Sequence, residues 1–146
     1  MPIIRKSKVV PYSAAQMFDL VNDVEKYPEY LPWCKTVRIL RNATTEMDVS
    51  VGVLMGPVNK TFTTRNRMVN NHESIEMSLL NGPFKKLNGE WRFVAINENE
   101  CRIEFELDFT LAIGLLSGML SPIFENMYGS MIKAFSDRAK VIYGEH

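Results

Sequence analysis

The chain has 146 residues, 46% of them hydrophobic and 23% charged, with 17 basic side chains against 17 acidic ones, the profile of one globular domain spanning 1–146. At this length folding hides roughly 70% of the unfolded surface, so a core forms without disulfides or a structural metal. The zero net charge excludes indiscriminate binding to nucleic acid or acidic membranes, which needs an excess of Lys and Arg, but it conceals a split of +4 over residues 1–92 and −4 over 93–146.

Ile3 to Val10 reads as a strand stopped by Pro11, which cannot donate to a sheet ladder. Ser13 with Gln16 three residues on predicts a capping box, and Met17, Phe18, Leu20, Val21 and Val24 supply the apolar face of short helices. Tyr27-Pro28-Glu29-Tyr30-Leu31-Pro32-Trp33 is expected to be an aromatic-rich loop, because each proline restricts its predecessor and removes an amide donor. From Cys34 the period becomes two: Val37 and Ile39 alternate with Arg38, and a turn follows near Asn42 to Thr45. Met47, Val49, Val51, Val53 and Met55 then alternate against Glu46, Asp48, Ser50 and Gly52 until Gly56-Pro57. In the next strand Phe62, Thr64, Asn66 and Met68 share the inner face, leaving Thr61, Thr63, Arg65 and Arg67 to solvent. Ile75, Met77 and Leu79 mark a fifth strand, and Asn81-Gly82-Pro83 turns the chain into a loop carrying Lys85 and Lys86. Trp91, Phe93 and Ala95 face inward on the sixth strand, and a hairpin turn at Asn97 to Glu100 leads into the longest, from Cys101 to Leu111. Finally Leu116, Leu120, Phe124, Met127, Met131, Phe135, Ala139 and Ile142 recur every three to four residues, predicting a C-terminal helix with Pro122 in its first turn. Over 122–143 it spans about 33 Å, and 115–120 forms a separate turn or a kinked entry. The order gives an α+β fold: a curved seven-stranded antiparallel sheet wrapped around a long C-terminal helix, with short helices between strands 1 and 2.

Catalysis has little support in this pattern. Cys34 and Cys101 lack metal-ligand spacing, and His72 and His146 sit in a polar turn and at the end of the sequence. Neither a metal centre nor a Cys-His nucleophile is expected, and reduced thiols suit the cytoplasm. Charges at positions 5, 6 and 8 interrupt any signal-peptide apolar region. The longest uncharged run, Phe109 to Phe124, is shorter than the ~20 residues of a spanning helix; core packing, a lid over a cavity and contact with a membrane surface all remain open for it. Glu104, Glu106 and Asp108 share a strand face opposite the apolar one, so pairing with Arg5, Lys6 or Lys8 is expected of them rather than acid-base work.

Nine methionines are more informative. Met47, Met55, Met68, Met77, Met127 and Met131 fall on inner faces, where their adaptable thioethers fill either a core or the wall of a cavity. Thr64 and Asn66 on the same face favour a cavity, because an unpaired polar group in a dry core costs ~1–3 kcal/mol. The expected lining is Trp33, Phe62, Thr64, Asn66, Met68, Met77, Trp91, Phe93, Phe109, Met127, Met131 and Phe135. Arg65, Arg67, Lys85 and Lys86, with Arg92 near, are either a basic patch for RNA or a solvated edge. If folding keeps them apart from Glu104, Glu106 and Asp108, the neutral total hides a dipolar surface.

Three blocks carry a resemblance: Asn22-Asp23-Val24-Glu25-Lys26-Tyr27-Pro28-Glu29-Tyr30-Leu31-Pro32-Trp33-Cys34, then Gly82-Pro83-Phe84-Lys85-Lys86-Leu87-Asn88-Gly89-Glu90-Trp91-Arg92-Phe93, then Cys101-Arg102-Ile103-Glu104-Phe105. Over residues 1–144 the chain resembles the START-related coenzyme-Q-binding family, whose bacterial branch is called ribosome association toxin A and some of whose members are labelled oligoketide cyclase or lipid-transport-like. The resemblance implies a helix-grip fold and a non-catalytic role: binding ubiquinone or a related polyprenyl lipid between sheet and helix in support of respiration, with no required cofactor. For the toxin branch it implies binding to the large ribosomal subunit and blocking of subunit association. A cytoplasmic location, with peripheral contact at the inner face of the membrane, is the corresponding expectation.

Overall fold

Residues 3–55, 58–69, 73–82, 84–111 and 117–144 are described by a computed structural model, with side chains for all of these except 55, 58 and 117–121. The chain runs β1 (Ile3–Val10), α1 (Ala14–Asn22), a 3₁₀ helix (Val24–Glu29), β2 (Cys34–Asn42), β3 (Glu46–Met55), β4 (Val58–Val69), β5 (Ser74–Asn81), β6 (Phe84–Asn97), β7 (Glu100–Leu111), α2 (Ser117–Gly129) and α3 (Met131–Tyr143). All seven strands join one sheet in the order β1-β7-β6-β5-β4-β3-β2. Strands β2 to β7 are thus a meander, and β1 returns from the start of the chain to close on β7. Register shifts in β2–β3, β4–β5 and β6–β7 add unpaired residues that bend and twist the strands, curving the sheet around the helices. This is the expected α+β helix-grip fold.

The capping box forms as the spacing predicts: Gln16 N–H donates to Ser13 Oγ at 3.1 Å, and Ser13 N–H donates to Gln16 Oε1 at 2.9 Å. The aromatic stretch differs from its expectation at one end. Residues 24–29 wind into a 3₁₀ helix that includes Pro28, with Lys26 N–H on Asp23 O and Tyr30 N–H on Tyr27 O. Single i→i+3 turns need few donors, so a proline amide is tolerated there, and the Tyr27 hydroxyl fastens the turn to the Val21 carbonyl.

The helices seat on the inner face through aromatic rings. Trp91 stacks on Phe105 at 4.2 Å, and Phe135 of α3 meets Trp91 edge-on at 5.2 Å. Phe84 collects Phe62, Phe109 and Phe124 of α2 at 5.2–6.1 Å. The predicted single C-terminal helix is two helices bent at Gly129-Ser130, where Ser130 Oγ donates to the Met127 carbonyl at 2.8 Å. A Gly/Ser pair with a hydroxyl bonded back to the preceding turn is a recognised cause of helix bending.

Two further expectations change. Lys85 and Lys86 belong to β6, where the bulge between Phe84 and Lys86 sets Lys86 opposite Thr110, and Ala95 is exposed at the far end of that strand. The lid or membrane segment lies partly outside the described residues, at 112–116, as do Gly56-Pro57, His72 and His146. Among the described residues no helix is long and apolar enough to cross a membrane.

Candidate ligand site between sheet and helices

The inner face divides into a sealed half and an accessible half. On β6 and β7, Trp91, Phe93 and Phe109 are buried, as are Met127, Met131 and Phe135 of the two C-terminal helices: Phe135 covers Trp91, Phe124 meets Phe109, and Phe18 of α1 meets Phe93 edge-on at 5.7 Å. Trp33 and Phe62 are buried as well. On β3 to β5, by contrast, cover is incomplete: Val51, Asn66, Met68, Met77 and Leu79 point to the same inner face and remain half-buried, among the buried Met47, Val49, Val53, Thr64 and Ile75. Of the twelve expected lining residues, the accessible ones are therefore Asn66, Met68 and Met77, while Thr64 lies buried beside them. Val51 and Leu79 belong with this group too; the two-residue alternation that marked Met77 also marked them.

Asn66 sits at the centre of this region. Its cross-strand partners are Met47 on β3 and Met77 on β5, and Met68 follows it on the same face of β4. Thr64 Oγ1 donates to Asn66 Oδ1 at 2.9 Å, which spends the amide's carbonyl and leaves its Nδ2 hydrogens for another acceptor. The outcome is one hydrogen-bond donor ringed by three thioethers. Gly89 makes room for the Met77 side chain, since a Cβ there would lie 2.8 Å from Met77 Cε and 2.7 Å from Leu107 Cδ1. Met47 and Met68 also line a groove of about 340 Å³ that opens between α1 and the β2–β3 hairpin, where Asn22 Nδ2 reaches Met68 Sδ at 3.9 Å. Sequence reading missed Tyr128: its ring packs beside Phe105 and Phe109, and its hydroxyl is buried without a hydrogen-bond partner among the described residues. Burial pushes that phenol up from its ordinary pKa.

The opposite face of the sheet is charged in both signs. Arg65 binds Asp48 through two hydrogen bonds of 2.8 and 3.1 Å, Arg67 binds Glu76 at 2.9 Å, and Lys86 binds Asp108 at 2.7 Å. Lys85 alone of the four expected patch residues has no carboxylate partner among the described residues. Arg5 pairs with Glu106 at 3.5 Å as expected, whereas Glu104 is held by Arg92 and Arg102, and Lys6 and Lys8 fall on the helix side of β1. Folding does not keep the charges of opposite sign apart: residue parity puts them on one outer face, where β4 bases pair with acids of β3 and β5 and Lys86 of β6 pairs with Asp108 of β7. Hydrogen bonds from Arg65 first, and from Arg41, hold the Asp48 carboxyl below the usual carboxylate range. No cluster of metal-ligating side chains occurs among the described residues.

Residues 10–136 match the family described as polyketide cyclase / dehydrase and lipid transport. The chain belongs to that family. Among curated members, the "Ribosome association toxin RatA" of Escherichia coli K12 is 45% identical over 98% of this chain and 90% of its own length. The "Coenzyme Q-binding protein COQ10 homolog B, mitochondrial" of Xenopus laevis is 28% identical over 95% of this chain and 58% of its own length. The solution structure of the 18 kDa protein CC1736 from Caulobacter crescentus superposes with a TM-score of 0.78, at 34% identity, covering 99% of this chain and 100% of that one. Within the lipid-transport family, then, the chain is similar both to proteins named for ribosomes and to one named for coenzyme Q.

Proposed function

We propose that the protein binds a hydrophobic small molecule with a hydrogen-bond-accepting end, ubiquinone or a related polyprenyl lipid, and holds it without converting it. The observation that carries this reading is the half-buried Asn66 amide, its carbonyl taken by Thr64, among Met47, Met68 and Met77 on a mostly apolar stretch of the sheet. A quinone carbonyl is the complement of the Nδ2 donor, and flexible thioethers suit an isoprenoid chain. The similarity to a coenzyme-Q-binding protein agrees with this choice. Replacing Asn66 with Leu should weaken binding of a short-chain ubiquinone analogue by about five- to tenfold, the worth of one hydrogen bond. Met77→Trp, which fills space, should weaken it further. Equal affinity in both folded variants, or no quinone-type lipid in mass spectra of protein taken from its native host together with no binding of the analogue, overturns the proposal.

A second reading is favoured by the curated relatives at 41–46% identity, named ribosome association toxins or a persistence and stress-resistance toxin. In this reading the protein engages the large ribosomal subunit and blocks subunit joining. Overproduction should then shift sucrose-gradient profiles toward free subunits; an unchanged profile removes it. A ligand cavity and an RNA-binding surface can coexist on one domain.

A further inference from the structure

The ion pairs on the outer face leave a different surface with unspent positive charge. Strand β1 is a sheet edge, and its alternation sends Arg5 to the outer face but Lys6 and Lys8 toward the helices. Lys8 Nζ donates to Ser136 Oγ of α3 at 2.9 Å. One turn away on each side, α3 carries Lys133 and Lys140, and Lys8, Lys133 and Lys140 all act on the single carboxylate of Asp137, with the Lys133 hydrogen bond at 2.8 Å the strongest influence. Lys6 continues the row to the helix bend, where its Cε lies 3.7 Å from the position a Gly129 Cβ would take. There a furrow of about 550 Å³ runs between β1 and the bend, lined by Lys6, Asn126, Ser130 and Glu125. The four lysines are exposed, and Asp137 is the carboxylate among them, with Glu125 at the far end.

We infer that this β1–α3 seam, through Lys6, Lys8, Lys133 and Lys140, is the surface that grips the phosphodiester backbone of a structured RNA. The inference rests on the ribosome-association reading and names the face that serves it. Ammonium groups on adjacent strand and helix neutralise successive phosphates, and the Asn126 amide in the furrow can take a 2′-hydroxyl. A membrane fits less well. An interfacial helix needs a broad apolar face beside its lysines; here the exposed apolar side chains next to the row are Val141 and Ile142, adjoining Lys140 in the last turn of α3, whereas along the rest of the row the exposed side chains are Asp137, Ser130 and Asn126.

The test is co-sedimentation of the full chain with purified large ribosomal subunits across a salt series. The triple variant Lys8→Gln/Lys133→Gln/Lys140→Gln should bind at least about tenfold more weakly at 0.1 M salt, and the slope of log affinity against log salt should fall by about 2 to 3, as three phosphate contacts require. Asp137→Asn, which removes the one carboxylate from the lysine row, should bind about two- to threefold more tightly, a gain that misfolding cannot imitate. Arg67→Gln on the outer face should leave binding unchanged. Wild-type affinity in the triple variant, or no gain in Asp137→Asn, overturns the seam while leaving the ribosome reading standing. Failure of the wild-type protein to bind subunits at all removes both. Loss of binding to phosphatidylglycerol vesicles in the triple variant, with subunit binding intact, makes the seam a membrane contact and also overturns the inference.

Discussion

Gly82 is a residue whose identity the backbone dictates. Its φ is +154°, and a Cβ there would lie 2.5 Å from Phe62 Cβ and 3.1 Å from Phe62 Cα. Gly82→Ala therefore meets both backbone strain and a neighbour that cannot withdraw, and should cost about 1–3 kcal/mol in urea unfolding with an unchanged m-value. A stability within experimental error of wild type would contradict the close approach. The sequence announced this glycine, since Asn-Gly-Pro between alternating runs signals a turn. It announced Asn66 equally well, by parity alone. It could not announce that Thr64 takes one end of the Asn66 amide, because that bond depends on the rotamers of two side chains on one face. Nor could it separate Lys6 and Lys8 from Arg5 as to partner: parity puts them on opposite faces, but only the position of β1 at the sheet edge lets lysines on the helix side stay in water.

At the scale of elements, α3 is held by one ring more than by any other. Phe135 has no exposed surface and contacts Trp91, Tyr27 and Tyr30 at 5.2–5.9 Å, so it joins helix, sheet and the aromatic stretch after α1. Phe135→Ala should cost about 3–5 kcal/mol, with the variant's near-ultraviolet circular dichroism losing intensity as the Trp91 environment loosens. A loss below 1 kcal/mol would mean that the cluster repacks freely. Strand and helix identities were legible because burial imposes periods of two and 3.6 on the side chains. Interruptions were less so. The bend at Gly129-Ser130 falls inside an unbroken apolar stripe, since both halves bury the same face, and the β6 bulge that moves Lys85 and Lys86 into a strand is a property of pairing with β7 rather than of either segment. The accessible half of the inner face escaped detection for a related reason: alternation tells which side a residue faces, and nothing about whether a helix covers it.

The whole molecule answers to pH from two directions. Carboxylates held by arginines or lysine, Asp48, Glu104 and Asp137, have folded pKa values below their ordinary range. Their contribution to stability is present above the unfolded value near about 4 and is lost as the pH falls through the folded values. Burial pushes the Cys34 and Cys101 thiols up to about 11. Their contribution is complete below the unfolded value near about 8.5 and disappears as the pH rises through the folded one. Thermal melts should thus show a plateau from about pH 5 to 8 with both flanks falling, and Cys34→Ala/Cys101→Ala should flatten only the alkaline flank. An alkaline flank of unchanged steepness in that variant would assign it to other groups. The sheet order carries one more consequence, for the sequence of events in folding. Strands β2 to β7 each pair with the strand next in the chain, so their hairpins close short loops, but β1 must find β7 across all the intervening strands. Loop-closure entropy makes that pairing late, and the strand of this sheet that comes first in chain order should be the last to be placed. In pulsed hydrogen exchange during refolding, amides of β3 to β6 should gain protection before those of Ile4 to Val10, and the seam where β1 meets α3 should form only once the rest of the sheet exists.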